Sequence, residues 1–510
     1  MSIYDLPARH RSAVTPPPSP ATARAPSVRL PRMSSRYYSG GQVTRFTEDW
    51  STPQVTANEA IRWKLRTTRD RARDLERNDD FIRRYLALVE SNGIGPRGAR
   101  MKPNIIDRDG KKDKAAALAI GTQWDEAGKK GNWTVCGTLS RVAAEKMLLR
   151  RLVVDGEALF RVHRGWGNRW GFAIQILDAD LLDETLFLAP GNGQNEITMG
   201  VERDSYGKPV AYWLKSRADS YGNDRVRVPA EEIRHVFIQE RPNQVRGMTW
   251  LASGAVRKRM LDAFEHAVVV GARVAASKMG FITNDKDAPG GYDGDGIAGD
   301  GSTIMSAEPG EFEELMPGQS VQTFDPQYPP AGFSELEREL KRGLTAGLNV
   351  SYHAVTNDLS DANYSSLREG KLLDMDAWRT LQWFLVDEIM EPNREAWLTM
   401  AMTTQAVALP ITKLGKFLPA KWYPRGWDWV DPAKETEAIR GKLEMKLTTR
   451  TREAAARGDD FEEILDELQD EEAAMKARGL VAPPVKPINP ALLVEPAHEE
   501  KPQKPDAAAT

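Results

Sequence analysis

The stretch AGLNVSYHAVTNDLSDANYSSLREG, residues 346–370, decides how the chain is organised. Just before it, Phe333, Leu336, Leu340, Leu344 and Leu348 recur at helical spacing and form one apolar stripe. From His353 to Ser366 that periodicity gives way to polar residues, among them Asn357, Asp358, Asp361 and Asn363, which favour turns. No Lys or Arg falls between 352 and 366. Helical spacing resumes at Ser366 and predicts a long helix to about Met390, ending near Pro392, since proline lacks the N–H that a helix interior needs. Two long helices joined by an uncharged-to-acidic interruption are therefore predicted.

Upstream, Trp250 to Met279 predicts another long helix free of proline. Its second half carries Gly271, Ala272, Ala275, Ala276 and Ser277, and small side chains let helices approach closely. Between this helix and the next, residues 284–302 read as a Gly/Asp loop, and 308–326 as short strands with turns at Pro309-Gly310 and Pro317-Gly318. Residues 150–240 are β-rich. ALFRVHRG and WGFAIQIL form one predicted hairpin across Gly165, Gly167 and Asn168. EITMGVE and KPVAYWLK form a second, across Asp204 to Gly207. Residues 57–91 read as helix, densely basic from Arg62 to Arg84, which is either a solvated face or one that meets phosphate or a partner. Residues 433–478 read as an acidic helical region, and the proline-rich ends, 1–45 and 481–510, as disordered tails.

With 510 residues the prior is about three domains. The net charge of −3 excludes a polycation, but the charge is polarised: 18 basic against 10 acidic residues in 1–100, and 12 against 17 in 434–510. One cysteine, Cys136, excludes an internal disulfide framework and a cysteine-based structural zinc site. The N-terminus lacks the apolar core of a secretory signal, and the most apolar stretch, 267–282, is short and contains Arg273 and Lys278. The expectation is an intracellular, soluble protein without membrane contact.

Tests for chemistry come out negative. Every Gly-Lys pair lacks the following Ser or Thr that a phosphate-binding loop needs to hold magnesium. Gly93, Gly95 and Gly98 spell GxGxxG, but they follow a helix rather than a strand, which predicts a helix cap and turn. The aspartates between 285 and 300 fail the EF-hand pattern because Pro289 occupies a ligand position. No histidine pair has HExxH spacing, and no GxSxG elbow occurs. The 14 tryptophans read as core or interface before base-stacking platforms. No catalytic residue, metal or cofactor is predicted, which favours a structural or assembly role over an enzyme.

Six segments in order then carry a resemblance: LERNDDFIRRYLALVESNGIGPRG (75–98), GKPVAYW (207–213), HVFIQERPNQVRGMTWL (235–251), EPGEFEELMPGQSVQ (308–322) with PPAGF (329–333), residues 346–370, and WDWVDPAKE (427–435) followed by LTTRTREAAARGDDFEEIL. Together they resemble the lambda-type portal proteins of tailed bacteriophages. Asp361-Ala362 stands where that family usually has a glycine-led pair.

The resemblance implies an α+β portal fold. Its parts would be a wing (46–249, helical at its start and β-rich over 150–240), a stem helix (250–280), a clip (281–332) and a second stem helix (333–350). A tunnel loop (351–366), a wing and tunnel helix region (367–432) and a helical crown (433–480) would follow. It implies a ring, usually of twelve copies, at the capsid vertex of the virion, assembled in the host cytoplasm. DNA would pass through its channel, at packaging and ejection, without sequence specificity. The expected partners are other copies, the terminase large subunit, head-completion or connector proteins, and capsid and scaffold proteins. Asp358, Ser360, Asp361, Asn363, Tyr364, Ser365 and Ser366 would form the tunnel loop, and Gly271, Ala272, Ala275 and Ala276 would pack the stems. A channel wall must not grip phosphates, since each such contact adds salt-sensitive affinity, so the loop is expected to be neutral to acidic. The alternatives are another phage head or connector protein, or a metal-dependent nucleic-acid-processing enzyme.

Overall fold

The computed structural model describes residues 54–191, 194–216, 224–276, 280–284, 296–297, 303–304, 319–323, 332–360, 364–427 and 432–480. The predicted tails and most of the predicted Gly/Asp loop lie outside the described residues.

The helical start is three helices rather than one: Ala57–Arg62, Leu65–Asn78 and Asp80–Gly93. Thr56 opens the first with a capping box, its side chain accepting from the Glu59 N–H while Glu59 accepts from the Thr56 N–H at 2.8 Å. Asp79 makes the second break. Its backbone is extended, and its carboxylate accepts from the Ile82 N–H at 2.7 Å, so it starts a new helix instead of continuing the old one. The third helix stops at Gly93, and Gly95 and Gly98 follow with φ of +79° and +75°, the cap and turn expected of the GxGxxG string. Gly93 is also a contact point, because a Cβ there would lie 2.7 Å from Leu149 Cδ2.

The helix Arg141–Val154 brings Leu148, Leu149, Leu152, Val153 and Val154 into the main core, together with Trp124, Trp133 and Trp397. The tryptophans interlock edge to face, Trp124 lying 5.2 Å from Trp133 and 5.1 Å from Trp397. Against this core, Glu157–Arg164 pairs antiparallel with Phe172–Leu177, the first predicted hairpin, and on its other side with Ile233–Phe237. The second predicted hairpin is more complex. A five-stranded meander runs Phe187–Leu188, Glu196–Thr198, Val201–Arg203, Pro209–Lys215, Arg225–Pro229. EITMGVE is not one strand: Met199 (φ +48°) and Gly200 (φ +82°) turn it back on itself. Only the glycine of that turn is a usual turn residue, so alternation alone reads straight through it.

The long helix from the polar interruption does not end at Pro392. Tyr364–Leu385 passes through one π-helical turn, Val386–Met390, into Glu391–Thr403. The wider turn resets the hydrogen-bond ladder, so Pro392 sits in the first turn of the next segment, where no N–H is required. The chain then returns as Ala420–Tyr423 to pair with Arg100–Pro103. The C-terminal region is helical as expected: Pro432–Glu444, Arg450–Ala455 and Phe461–Ala477.

One buried ionic cluster joins these parts. Glu157, 1% exposed, accepts from Arg69 Nη2 at 2.8 Å, from Arg246 Nε at 2.8 Å and from the Gly247 N–H at 3.3 Å, with His235 Nε2 at 2.9 Å. Arg246, wholly buried, also donates to the carbonyls of Leu182, Met199 and Ala179. Burial alone would raise the Glu157 pKa, but Arg246, His235 and Arg69 more than reverse that and hold the carboxyl well below its ordinary 4.5. Removing one partner strands a buried charge, so Arg246→Met should cost about 3–5 kcal/mol in urea unfolding at neutral pH. The depressed pKa also sets a pH signature. The charged form's contribution is present above 4.5 and is lost as pH falls through the folded value. Glu157→Gln should therefore be much less stable than the parent at neutral pH, and the gap should narrow as pH drops below 4.5. A gap independent of pH would show that the charge contributes nothing.

Candidate functional site

Helices Ala252–Ala276 and Phe333–Gly347 lie antiparallel against one another. At one end Gly254 faces Leu344, and Ser253 Oγ donates to the Gly347 carbonyl at 2.9 Å. Further along, Lys341 reaches Glu265 at 3.3 Å, and the rings of Phe264 and Phe333 stack with centroids 5.6 Å apart. Leu344 and Leu348, from the apolar stripe of Phe333 to Leu348, are buried, while Leu336 of the same stripe is half exposed. Lys258 is buried and bridges Asp262 on its own helix to Asp79, the residue that caps Asp80–Gly93. One carboxylate thus both starts a helix of the 57–93 region and anchors the long helix beside it.

Beyond the far end of the pair, Gly280–Asn284 pairs antiparallel with Gln319–Thr323, and Gly296–Ile297 with Thr303–Ile304. The two predicted Pro-Gly turns of this module lie outside the described residues.

The outer side of Ala252–Ala276 is the unexpected feature. Val256, Met260, Ala263, Ala267 and Val270 are all exposed in the single chain, Val256 by 63% and Met260 by 65%. Their spacing alternates four and three, which is a heptad seam on one helix face. Of the residues predicted to pack there, Gly271 is half-buried and Ala272 exposed, while Ala275 and Ala276 close the helix. The small-residue run drew attention to the helix end, whereas the larger seam lies further back. A count of 3–4 spacing in AVRKRMLDAFEHAVVV would have found it.

The stretch 351–366, expected as the tunnel loop, is partly helical. Tyr352–Thr356 is a helical turn closed by Asn357 at φ +57°, and Tyr364, Ser365 and Ser366 already belong to the helix Tyr364–Leu385. Hydrogen bonds that form within a single turn give no apolar periodicity to read, which is why the stretch looked like loop throughout. Asp361 and Asn363 lie outside the described residues. Asp358 organises what remains. It accepts from Ser360 Oγ at 2.6 Å, the Ser360 N–H at 3.1 Å and Tyr352 Oη at 2.8 Å. The Ser360 hydroxyl, then its N–H and the Tyr352 hydroxyl, pull the carboxyl down to about 2, so it is charged at neutral pH. His353 Nδ1 donates to the Asp358 carbonyl at 2.6 Å. Ser351 binds Asp374 on the following helix through its N–H (3.0 Å) and hydroxyl (2.6 Å). Leu359 and Ser360 stand exposed at the tip.

Among the described residues no group of three or more His, Cys, Asp and Glu could hold a metal ion, and no helix is long and apolar enough to cross a membrane.

The family model for the phage portal protein, lambda family, matches residues 44–382. The "Probable portal protein" of Halomonas phage phiHAP-1 is 31% identical over 511 residues, covering 98% of this chain and 97% of the relative. The "Portal protein" of Escherichia phage N15 is 23% identical, covering 87% and 90%. A chain in the neck of an empty gene transfer agent particle aligns over 81% of this chain and 98% of its own, with 12% identity and a TM-score of 0.42. The chain belongs to the lambda family of phage portal proteins.

The helix pair tolerates side chains unequally, and this can be measured. A Cβ on Gly254 would sit 2.8 Å from Leu344 Cδ1 in a buried contact, so Gly254→Val should cost about 1–3 kcal/mol through overpacking. At Gly347 the nearest atom to a Cβ is Ser253 Oγ at 3.6 Å, so Gly347→Ala should leave thermal stability unchanged or raised.

Proposed function

We propose that this portal protein works as a ring, in the family's usual number of twelve, whose subunits meet along the exposed seam of Ala252–Ala276. The observation that carries the reading is that seam. A heptad row of apolar residues on a helix whose other side is already packed has no use in a lone chain, and a second copy of the helix pair supplies a matching surface. Ring symmetry repeats the contact, so one seam per subunit closes the assembly.

In such a ring the pair Ala252–Ala276 and Phe333–Gly347 is the stem, the strand module between them the clip, and the turn around Asp358 faces the channel. Asp358, charged and without a Lys or Arg between 352 and 366, presents DNA with a wall that does not grip phosphate. The ring sits at the capsid vertex of the virion, is built in the host cytoplasm, and passes double-stranded DNA at packaging and ejection. Terminase large subunit docks on it during packaging, and head-completion proteins afterwards, while capsid and scaffold proteins surround it. The chain carries no catalysis of its own; the motor is a separate protein.

Val256→Asp with Met260→Asp tests this directly. Both side chains are exposed in the single chain, so the fold should survive, as circular dichroism would report. Electron microscopy should show rings with a central hole for the parent and only small particles for the variant. Rings of normal size from the double variant would remove the seam from the assembly.

A further inference from the structure

Helices Leu65–Asn78, Asp80–Gly93 and Arg141–Val154 meet around a cleft of about 540 Å³. Five arginines line it, Arg73, Arg77, Arg83, Arg150 and Arg151, against two carboxylates, Glu76 and Asp178. Three of the arginines are fixed in place. Arg73 donates to Asp155 at 2.7 Å and Asp178 at 2.8 Å; Arg150 donates to Glu76 at 2.5 Å and Glu90 at 2.7 Å; Arg151 shares Glu76. Arg77 and Arg83 differ. Both are exposed, and neither guanidinium group has an ion pair or hydrogen-bond partner among the described residues. Two guanidinium groups therefore stand free at the edge of a cleft whose floor is already neutralised and held rigid.

We propose that this cleft binds the phosphate groups of duplex DNA, with Arg77 and Arg83 making the direct contacts. Its lining decides between a nucleic acid and a protein. Every side chain is charged and none is apolar, whereas a protein partner is anchored by aliphatic and aromatic side chains in desolvated pockets. Contacts to a DNA backbone need only charge and forked donors, and arginine supplies both in a planar group matched to a phosphate. All five cations are arginine and none is lysine. Nothing in the cleft distinguishes one base from another, so binding is independent of sequence. These are contacts that a channel wall must avoid, so the DNA they meet rests against the protein instead of sliding through it. The proposal extends the portal reading to a surface on the 65–154 helices, apart from the stem.

The test is fluorescence anisotropy of a labelled duplex against the full-length protein over a salt series. Losing two phosphate contacts should weaken binding at low salt and flatten the slope of log K against log salt by about 2 for Arg77→Gln with Arg83→Gln. Arg108→Gln with Lys130→Gln removes the same charge elsewhere and should leave the slope at the parental value. The proposal fails if the cleft variant keeps the parental slope, or if the control flattens it equally. It also fails if polyglutamate binding is lost in the cleft variant while duplex binding persists, which would assign the arginines to a carboxylate-bearing partner. Inorganic phosphate, titrated alone, should bind parent and variant equally weakly. Tight binding of free phosphate that requires Arg77 and Arg83, with unchanged duplex binding, would also overturn it. Electron microscopy of the same samples reports ring formation separately, so loss of rings and loss of the DNA site are told apart.

Discussion

The carboxylate of Glu157 is the constraint on which the 56–251 region depends. A charge removed from water must be met by hydrogen bonds on every side, and Glu157 takes them from three separate parts of the chain: Arg69 on a helix, His235 on a neighbouring strand, and Arg246 in the link to the long helix. Each partner is placed by it. Arg246 lies between Glu157 and three backbone carbonyls, so the segment QVRG has one position available. Gly247 is required beside it for a steric reason, because a Cβ there would collide with the carbonyl of Gly156, itself at φ +85°. Hydrophobic packing could hold these elements together in several registers, whereas a carboxylate with fixed donors permits one. Specificity of this kind suits the connection from which the long helix departs, since a small error of angle there grows along a helix of 25 residues.

From that connection onward the structure is built of surfaces half satisfied. Ala252–Ala276 buries Gly254, Lys258 and Leu261 on one side and leaves Val256, Met260 and Val270 exposed on the other. Phe461–Ala477 goes further and buries no residue, although Leu465 and Leu468 are each 48% exposed. Chains that function alone rarely leave long helices in this condition. One continuous core nevertheless runs from Ala72 to Trp422 and takes in Leu261, Leu344 and Leu348 from the inner sides of the two long helices. The inner sides of the long helices thus keep the subunit folded, and their outer apolar faces are left for the ring proposed above.

The sequence made the first of these legible and the second only in part. The hairpin of Glu157–Arg164 with Phe172–Leu177, the helix Phe333–Gly347 and the acidic C-terminal helices were readable because apolar periodicity and glycine turns mark them locally. The breaks at Asp79 and at Met199-Gly200 were not, because a cap and a tight turn each rest on one or two side chains inside an otherwise regular pattern. Continuation through Pro392 was hidden for the opposite reason: the proline is a strong stop signal, and only a π-turn disarms it. Within the candidate site, the acidic character of the loop was visible, but not that Asp358 is held by Tyr352 and Ser360, since bonds between such residues have no signature in spacing.

The basic run from Arg62 to Arg84 shows most plainly what a linear count hides. As a sequence it is one patch with two possible meanings, a solvated face or a binding face. In three dimensions it separates by depth. Arg69 goes inward to Glu157 and Asp180, and Arg73 to Asp155, Asp178 and Asp180, so these two are structural cations. Arg66 pairs with Asp70 at 3.5 Å, an exposed contact that contributes little. Of the others, Arg77 and Arg83 line the cleft, one in the last turn before Asp79 and the other in the first turn after it. The cap that breaks the helix at Asp79 also turns the chain so that both face one cleft. A continuous helix would have placed them six residues apart, on different faces; the Asp79 break brings them to the same mouth. The same carboxylate holds Lys258 of the long helix, so the geometry of the arginine pair and the anchoring of that helix depend on one residue.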